Sequence, residues 1–229
     1  MMQVFQYSGT GQRAVNQDRI LVQPFSDDEA LFIVADGMGG YSNGEEAAAL
    51  VAEAIAGFVS AHRDSLQPNE LLHKAIVEAN QQLSIRRYAY GCIAMGTVIA
   101  LALVKGDTAF CTWLGDSRIY HYRDGQCLFV SSDHSALTEW GAKRVLSPAQ
   151  IQRYANTVTR CIMGDENLGP IEVTTLSLQQ GDTLFLCSDG LHKEVNIELL
   201  PSETDELQQF LSENNALFHD NYSLIKLKI

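Results

Sequence analysis

At 229 residues, 46% hydrophobic and 19% charged, the chain has the length of one large domain and apolar content enough for a substantial core. A net charge of −12 argues against nucleic acid as a main partner, because gripping a phosphate backbone needs a basic face. The five cysteines form no C-x-x-C pair, and Cys111 and Cys187 sit inside apolar runs, which favours core thiols in a reduced, cytoplasmic setting over zinc or disulfides.

The N-terminal stretch MMQVFQYSGTGQR has no basic region followed by an apolar one, so no signal peptide is expected. The longest apolar run, Val98 to Val104, falls far short of the roughly 20 residues a membrane span needs, and a soluble protein with no membrane partner is expected. In chain order, Ile20–Val22 and Leu31–Ala35 read as strands. Gly44 to His62 has apolar residues at helical spacing and acids in its first turn. A second helix is predicted from Asn69, as a cap after Pro68, to about Arg87.

Strands follow at Thr97–Val104, Thr108–Leu114, Ile119–Tyr122 and Cys127–Val130. The first two are linked by Lys105-Gly106-Asp107, and the next two by Arg123-Asp124-Gly125-Gln126. Asp-Gly between alternating segments signals a hairpin, since both central residues must tolerate positive φ. The more polar residues 134–157 carry a Ser147-Pro148 helix start and read as a flap leaving the sheets. Glu172–Leu176 and Thr183–Ser188 are strands, Thr204 to Glu213 a short helix, and Ser223–Ile229 a closing strand. Antiparallel strands with separate long helices predict an α+β fold, helices outside the sheet layers, in a single domain over residues 1–229.

Four aspartates fall at strand boundaries: Asp36 ends LFIVAD, Asp189 ends TLFLCSD, Asp116 follows TAFCTWLG, and Asp220 precedes the last strand. A strand end holds a carboxylate rigidly, and a following glycine lets backbone approach a ligand. Hard divalent cations take such oxygen ligands, and four carboxylates suffice for a two-metal cluster. Asp-Gly is also a common turn dipeptide, and on spacing alone both readings stand. The six histidines lack metal-binding spacing, and His134 reads as structural. No G-x-x-x-x-G-K-[ST] or C-x5-R loop is present, which removes nucleotide cradles and a cysteine nucleophile.

The local sequences go further. VADGMGGYSNGEEAA, Val34 to Ala48, resembles the D-G-M-G-G-x-x-x-G-E-x-A signature of bacterial PP2C-type (PPM) Ser/Thr protein phosphatases. RAVNQD is similar to that family's R-x-x-N-E-D, MGTVIALAL to its G-T-T strand, and LGDSRIYHYRDG to its G-D-S-R-x-Y-x-x-R-D-G. SSDHS, TRCIMG, LFLCSDGL and HDNYSLI resemble four further blocks, in the family's order along nearly the whole chain.

The resemblance implies a four-layer α/β/β/α sandwich, two antiparallel β-sheets flanked by helices. It implies Mg²⁺ or Mn²⁺ as cofactor, two ions with a third, weaker site. Asp36 would bridge the two, the Gly37 carbonyl would bind one, and Asp189 and Asp220 would ligate the other. Asp116 with Asp189 match the third-site positions, Asp18 would act through water, and Arg13 would hold phosphate. Hydrolysis of phosphoserine and phosphothreonine esters would then proceed by direct attack of water activated between the ions, charge stabilisation and positioning supplying most of the catalysis. Phosphorylated proteins, including a Ser/Thr kinase or its targets, are the implied partners of a monomeric enzyme.

Departures are few. Gln17 replaces the acid of N-E-D, which would weaken metal binding, and Met38 stands where eukaryotic relatives often have His. The segment between Asp189 and Asp220 is shorter than usual, making Asp220 the least secure ligand. The alternative, a pseudophosphatase that binds phosphoprotein without turnover, would follow from loss of metal ligands, yet Asp36, Asp189 and Asp220 are all present.

Overall fold

The computed structural model describes residues 2–38, 43–91, 94–143 and 145–229. Gly39, Gly40, Tyr41 and Ser42 of the VADGMGGYSNGEEAA block, and Cys92, lie outside the described residues. Strands β1 (Gln3–Gly9), β2 (Asp18–Pro24) and β3 (Glu29–Gly37) lead to helices α1 (Gly44–His62) and α2 (Pro68–Ala89). Then come β4 (Thr97–Lys105), β5 (Thr108–Leu114), β6 (Arg118–Arg123) and β7 (Gln126–Val130), followed by short helices α3 (Ala136–Gly141) and α4 (Pro148–Tyr154). The chain closes with β8 (Thr174–Ser177), β9 (Thr183–Cys187), α5 (Asp189–His192), α6 (Thr204–Glu213) and β10 (Tyr222–Lys228).

Two five-stranded sheets form, in the orders β1-β10-β9-β6-β7 and β2-β3-β4-β5-β8, with antiparallel pairing in both. Strand alternation builds three apolar layers. Leu31, Ile33, Ile99, Leu101 and Leu103 face α1 and α2, where they meet Val51, Ile55, Leu72 and Ile76. Phe32, Val34, Ala100 and Ala102 point the other way, against Ile119, Leu184, Leu186 and Ile225 between the sheets. Phe185, Tyr222 and Leu224 pack on Leu207 and Leu211 of α6. The four-layer α/β/β/α sandwich is therefore as expected. The residues of β3 and β4 are buried on both faces, so these strands read as continuous apolar runs.

The hairpins behave as their turn residues demand. Asp124 and Gly125 adopt φ of 50° and 75° between paired Arg123 and Gln126, and Gly106 turns at φ 60° between paired Lys105 and Thr108. Helix α1 has the predicted ends. Helix α2 begins one residue earlier than expected: Gln67 is the cap and Pro68 takes the first helical position, where its missing N–H is no loss, so Asn69 caps nothing. Ser147 caps α4 with a full capping box to Gln150. No sequence signal marked β1, an edge strand on which only Phe5 and Gly9 are buried.

No helix among the described residues is long and apolar enough to cross a membrane.

Candidate metal centre

Asp18 opens β2 and Asp36 is the penultimate residue of β3, and the antiparallel register sets them directly opposite each other. Like charges facing across a strand pair are destabilising, so this pairing costs the sheet something. From the other sheet come Asp189, two residues beyond β9, and Asp220, two residues before β10. Asp116 reaches the same place through the turn between β5 and β6. A cavity of about 830 Å³ is lined by Asp36, Gly37, Asp116, Asp189, Asp220 and Arg13, while Asp18 lies behind Asp36 outside its lining. Six of the seven residues singled out by resemblance thus share one cavity, and the seventh is the strand partner of one of them.

Local packing explains how the loops close on this point. The Ser188 hydroxyl donates to Asp18 Oδ2 at 2.7 Å, joining the two sheets at the site. Thr97 Oγ1 donates to the Asp36 carbonyl at 2.8 Å. Asn221 is the knot: its Oδ1 accepts the Gln17 amide at 2.9 Å, and its Nδ2 donates to the carbonyls of Thr10 at 2.9 Å and Val15 at 3.0 Å. The loop carrying Arg13 is thereby fixed to the chain's far end. Gly37 must lack a side chain, since a Cβ there would lie 2.3 Å from the Gly44 carbonyl oxygen.

The electrostatics are those of crowded carboxylates. Burial and the charges of Asp18, Asp189 and Asp116 push the Asp36 carboxyl well above its ordinary range, and it shares a hydrogen bond with Asp189. Burial likewise lifts Asp18 to about 7, against hydrogen bonds from Ser188 and Ser223 and with help from Asp189 and Asp220. Asp116 is raised by burial and by Asp189, with Lys193 opposing. Burial also acts to raise Asp189, but the charge and hydrogen bond of Lys193 outweigh it and hold this carboxyl below its usual range.

Two cations answer the negative charge. Arg13 Nη2 donates to Asp220 Oδ2 at 2.7 Å, both side chains about half exposed. Lys193 Nζ lies 2.6 Å from Asp189 Oδ2 and 3.3 Å from Asp116 Oδ2. With these pairs in place, no three His, Cys, Asp or Glu side chains among the described residues converge closely enough to close on one ion as they stand. The donor set nevertheless fits a pair of hard cations. Asp18 Oδ1 is buried with no hydrogen-bond partner, Asp36 and Asp189 are pressed together, and all the side-chain donors are oxygens.

Lys193, Ser188 and Asn221 are the residues that sequence reasoning passed over. Ser188 and Asn221 lie inside the blocks LFLCSDGL and HDNYSLI, so their adjacency to aspartates was the available signal. Lys193 stands four residues after Asp189, one helical turn. The concern over Gln17 takes a different form in the structure. Its side chain turns to helix α1, where Nε2 donates to Glu45 Oε2 at 3.3 Å. An acid there would face Glu45. His134 has the structural environment expected: it accepts from the Gly115 amide at 3.3 Å, contacts Arg160 and stacks on Trp113.

A family profile described as "Protein phosphatase 2C" matches residues 6–222. The serine/threonine protein phosphatase PstP of Mycobacterium tuberculosis is 29% identical over 199 residues, covering 82% of this chain and 37% of its own length. The chain therefore spans little more than a third of that relative. The crystal structure of M. tuberculosis PstP/Ppp superposes with a TM-score of 0.82 at 26% identity, over 100% of this chain and 98% of the other. A PstP catalytic-domain structure in complex with two manganese ions aligns at TM-score 0.80 and 24% identity, over 99% and 97% of the chains, a likeness of fold.

Proposed function

This chain belongs to the protein phosphatase 2C family, and from that premise we propose that it hydrolyses phosphoserine and phosphothreonine esters of proteins with two Mg²⁺ or Mn²⁺ ions. The observation that carries the reading is the convergence of Asp36, Asp116, Asp189, Asp220 and Arg13 on one cavity, backed by the unpartnered Asp18 Oδ1. Asp36 and the Gly37 carbonyl would hold one ion, with Asp36 shared by the second ion and Asp189 and Asp220 completing the latter. Asp18 would act at one remove, through water. When bound, the ions supply Lewis-acid activation of the attacking water and neutralise charge developing on phosphate.

The chain's own groups do the rest. Arg13 sits at the cavity mouth with its side chain half exposed, so its guanidinium fork can leave Asp220 for two phosphate oxygens. Asp18 and Asp36 face each other from adjacent strands, concentrating negative charge where a cation is needed. Gly37 and Gly190 let backbone close in around that point. Among the described residues no cysteine lines the cavity, and the proposed reaction is direct hydrolysis by water.

Residues 134–157 would act as a flap that meets the phosphopeptide. Asn156 and Thr157, at its end, line the same cavity as the aspartates. Exchanging this segment for that of a relative should change preference among phosphopeptides; unchanged preference would count against the role. The natural substrates would be a cytoplasmic Ser/Thr kinase or its targets, met by a single-domain monomer.

The deciding experiment is hydrolysis of p-nitrophenyl phosphate and a phosphothreonine peptide with Mn²⁺, with Mg²⁺ and with EDTA, alongside Asp36→Ala and Asp189→Ala. Turnover that needs metal and disappears in both folded variants supports the reading. Binding of metal and phosphopeptide with no turnover of either substrate would overturn it in favour of a phosphoprotein-binding module.

A further inference from the structure

The binuclear reading leaves Lys193 without a task, and its position is specific. It follows Asp189 by one turn of the short helix α5, and its ammonium reaches Asp189 at 2.6 Å and Asp116 at 3.3 Å. These are the two carboxylates that resemblance alone would assign to a third, weaker metal. Both are well enclosed, with side-chain exposures of 21% and 10%, and Lys193 itself is 34% exposed. Its alkyl stem therefore lies against the protein while the ammonium faces the cavity that it helps to line.

Resting on the two-metal reading above, we propose that the Lys193 ammonium takes the place of a third divalent ion between Asp116 and Asp189, so that this chain binds two metal ions and no more. An ammonium is a compact charge with three donors, able to satisfy two carboxylates at once. A divalent ion bridging Asp116 and Asp189 would have to displace it, exchanging a formed pair of charge-assisted bonds for partial dehydration of the ion. Asp189 also shares a hydrogen bond with Asp36, so it would serve the metal pair and the lysine together. His192 reinforces the arrangement, its Nε2 lying 2.8 Å from the Asp116 carbonyl oxygen, which fixes the backbone of the third-site aspartate. Lys193 is thus a positioning residue that fixes the Asp189 carboxylate from the side of Asp116.

Manganese stoichiometry tests this directly, read by native mass spectrometry and by titration calorimetry on the full chain. The wild type should saturate at two Mn²⁺. Lys193→Ala should gain a third, weaker Mn²⁺, and Lys193→Arg, which restores the charge, should return to two. Circular dichroism verifies folding, and Lys193→Gln, which keeps length and polarity, carries the same expectation as alanine should that variant not fold. Three ions on the wild type, or two on folded Lys193→Ala and Lys193→Gln, would overturn the proposal while leaving the binuclear reading intact. Fewer than two on the wild type would overturn both.

Discussion

Arg13 and Asp220, 207 residues apart, are joined by a hydrogen bond of 2.7 Å at the mouth of the cavity. The pair brings the proposed phosphate grip and a proposed metal ligand into contact, each satisfying the other's charge. Both side chains are about half exposed, so water screens the interaction and the pair adds little to stability. Its value lies in orientation: it holds the guanidinium over the aspartates where a phosphoryl group would arrive.

Arg13→Ala should therefore lower kcat/KM for a phosphothreonine peptide by roughly 10- to 100-fold, the kinetic equivalent of about 1.5–3 kcal/mol for a hydrogen bond to a charged group. Manganese stoichiometry should not change. Lysine at this position should recover only part of the loss, because it lacks the planar fork. Steady-state kinetics on the three proteins decides, and unchanged kcat/KM in the alanine variant would remove Arg13 from the phosphate site.

Asp36 and Asp18 face each other across β2 and β3, so the metal-free protein buries two crowded carboxyl groups, each disfavoured in its charged form, inside its sheet. Asp36→Asn should raise the melting temperature of the metal-free chain by a few degrees, corresponding to up to about 1 kcal/mol. The same change should abolish manganese binding to the pair of sites and, with it, turnover. Thermal melts in EDTA and calorimetric titration with Mn²⁺ read the two effects separately. A variant less stable than wild type in EDTA would show that the cluster is held by more than metal.

Asn221 is 5% exposed and makes three bonds to backbone groups of residues 10, 15 and 17. Asn221→Ala would orphan all three, at about 1–3 kcal/mol for each group that water cannot reach. The loop bearing Arg13 and leading to Asp18 should loosen. Hydrogen exchange should speed up over residues 10–17 and kcat/KM should fall, while the β9–β10 pairing stays protected. Unaltered exchange in that loop would count against Asn221 as its anchor.

A separate buried network, remote from the cavity, tests the sandwich itself. Asp182 has no solvent exposure and accepts from Arg123 Nε and Nη2 at 2.8 Å each and from the Gln179 amide at 2.9 Å, with His121 Nε2 at 2.8 Å. The Arg123 bonds come first in holding its carboxyl far below the ordinary value of 3.8, burial opposing and His121 assisting. A depressed acid stabilises the fold above its unfolded pKa, and that contribution is lost as pH falls through the native value. Asp182→Ala should cost about 3–5 kcal/mol, or roughly 10 °C in Tm. The gap from wild type should hold from pH 7 down to about 4 and narrow only in stronger acid. A gap that closes near neutrality would contradict the assignment.

Much of this architecture was legible locally. Nine of the ten strands among the described residues were found from runs of apolar residues, most plainly β3 and β4, whose burial on both faces leaves an unbroken hydrophobic signature. Asp124-Gly125 announced its hairpin because positive φ is demanded at both positions. The strand β1 escaped because an edge strand with two buried residues has no periodic signature. Its place comes from seven partners on β10, at the other end of the chain.

By itself the sequence determined most of the elements, the layer order implied by its motif blocks, and the candidate aspartates, since propensity, turn chemistry and strand-end position are properties of neighbouring residues. Only the tertiary structure decided which charges meet: Asp18 opposite Asp36, Ser188 bridging to Asp18 across 170 residues, Arg13 on Asp220, and Lys193 between Asp189 and Asp116. Those contacts depend on strand register and on how two sheets pack, which are set by long-range burial and leave no mark on the local sequence.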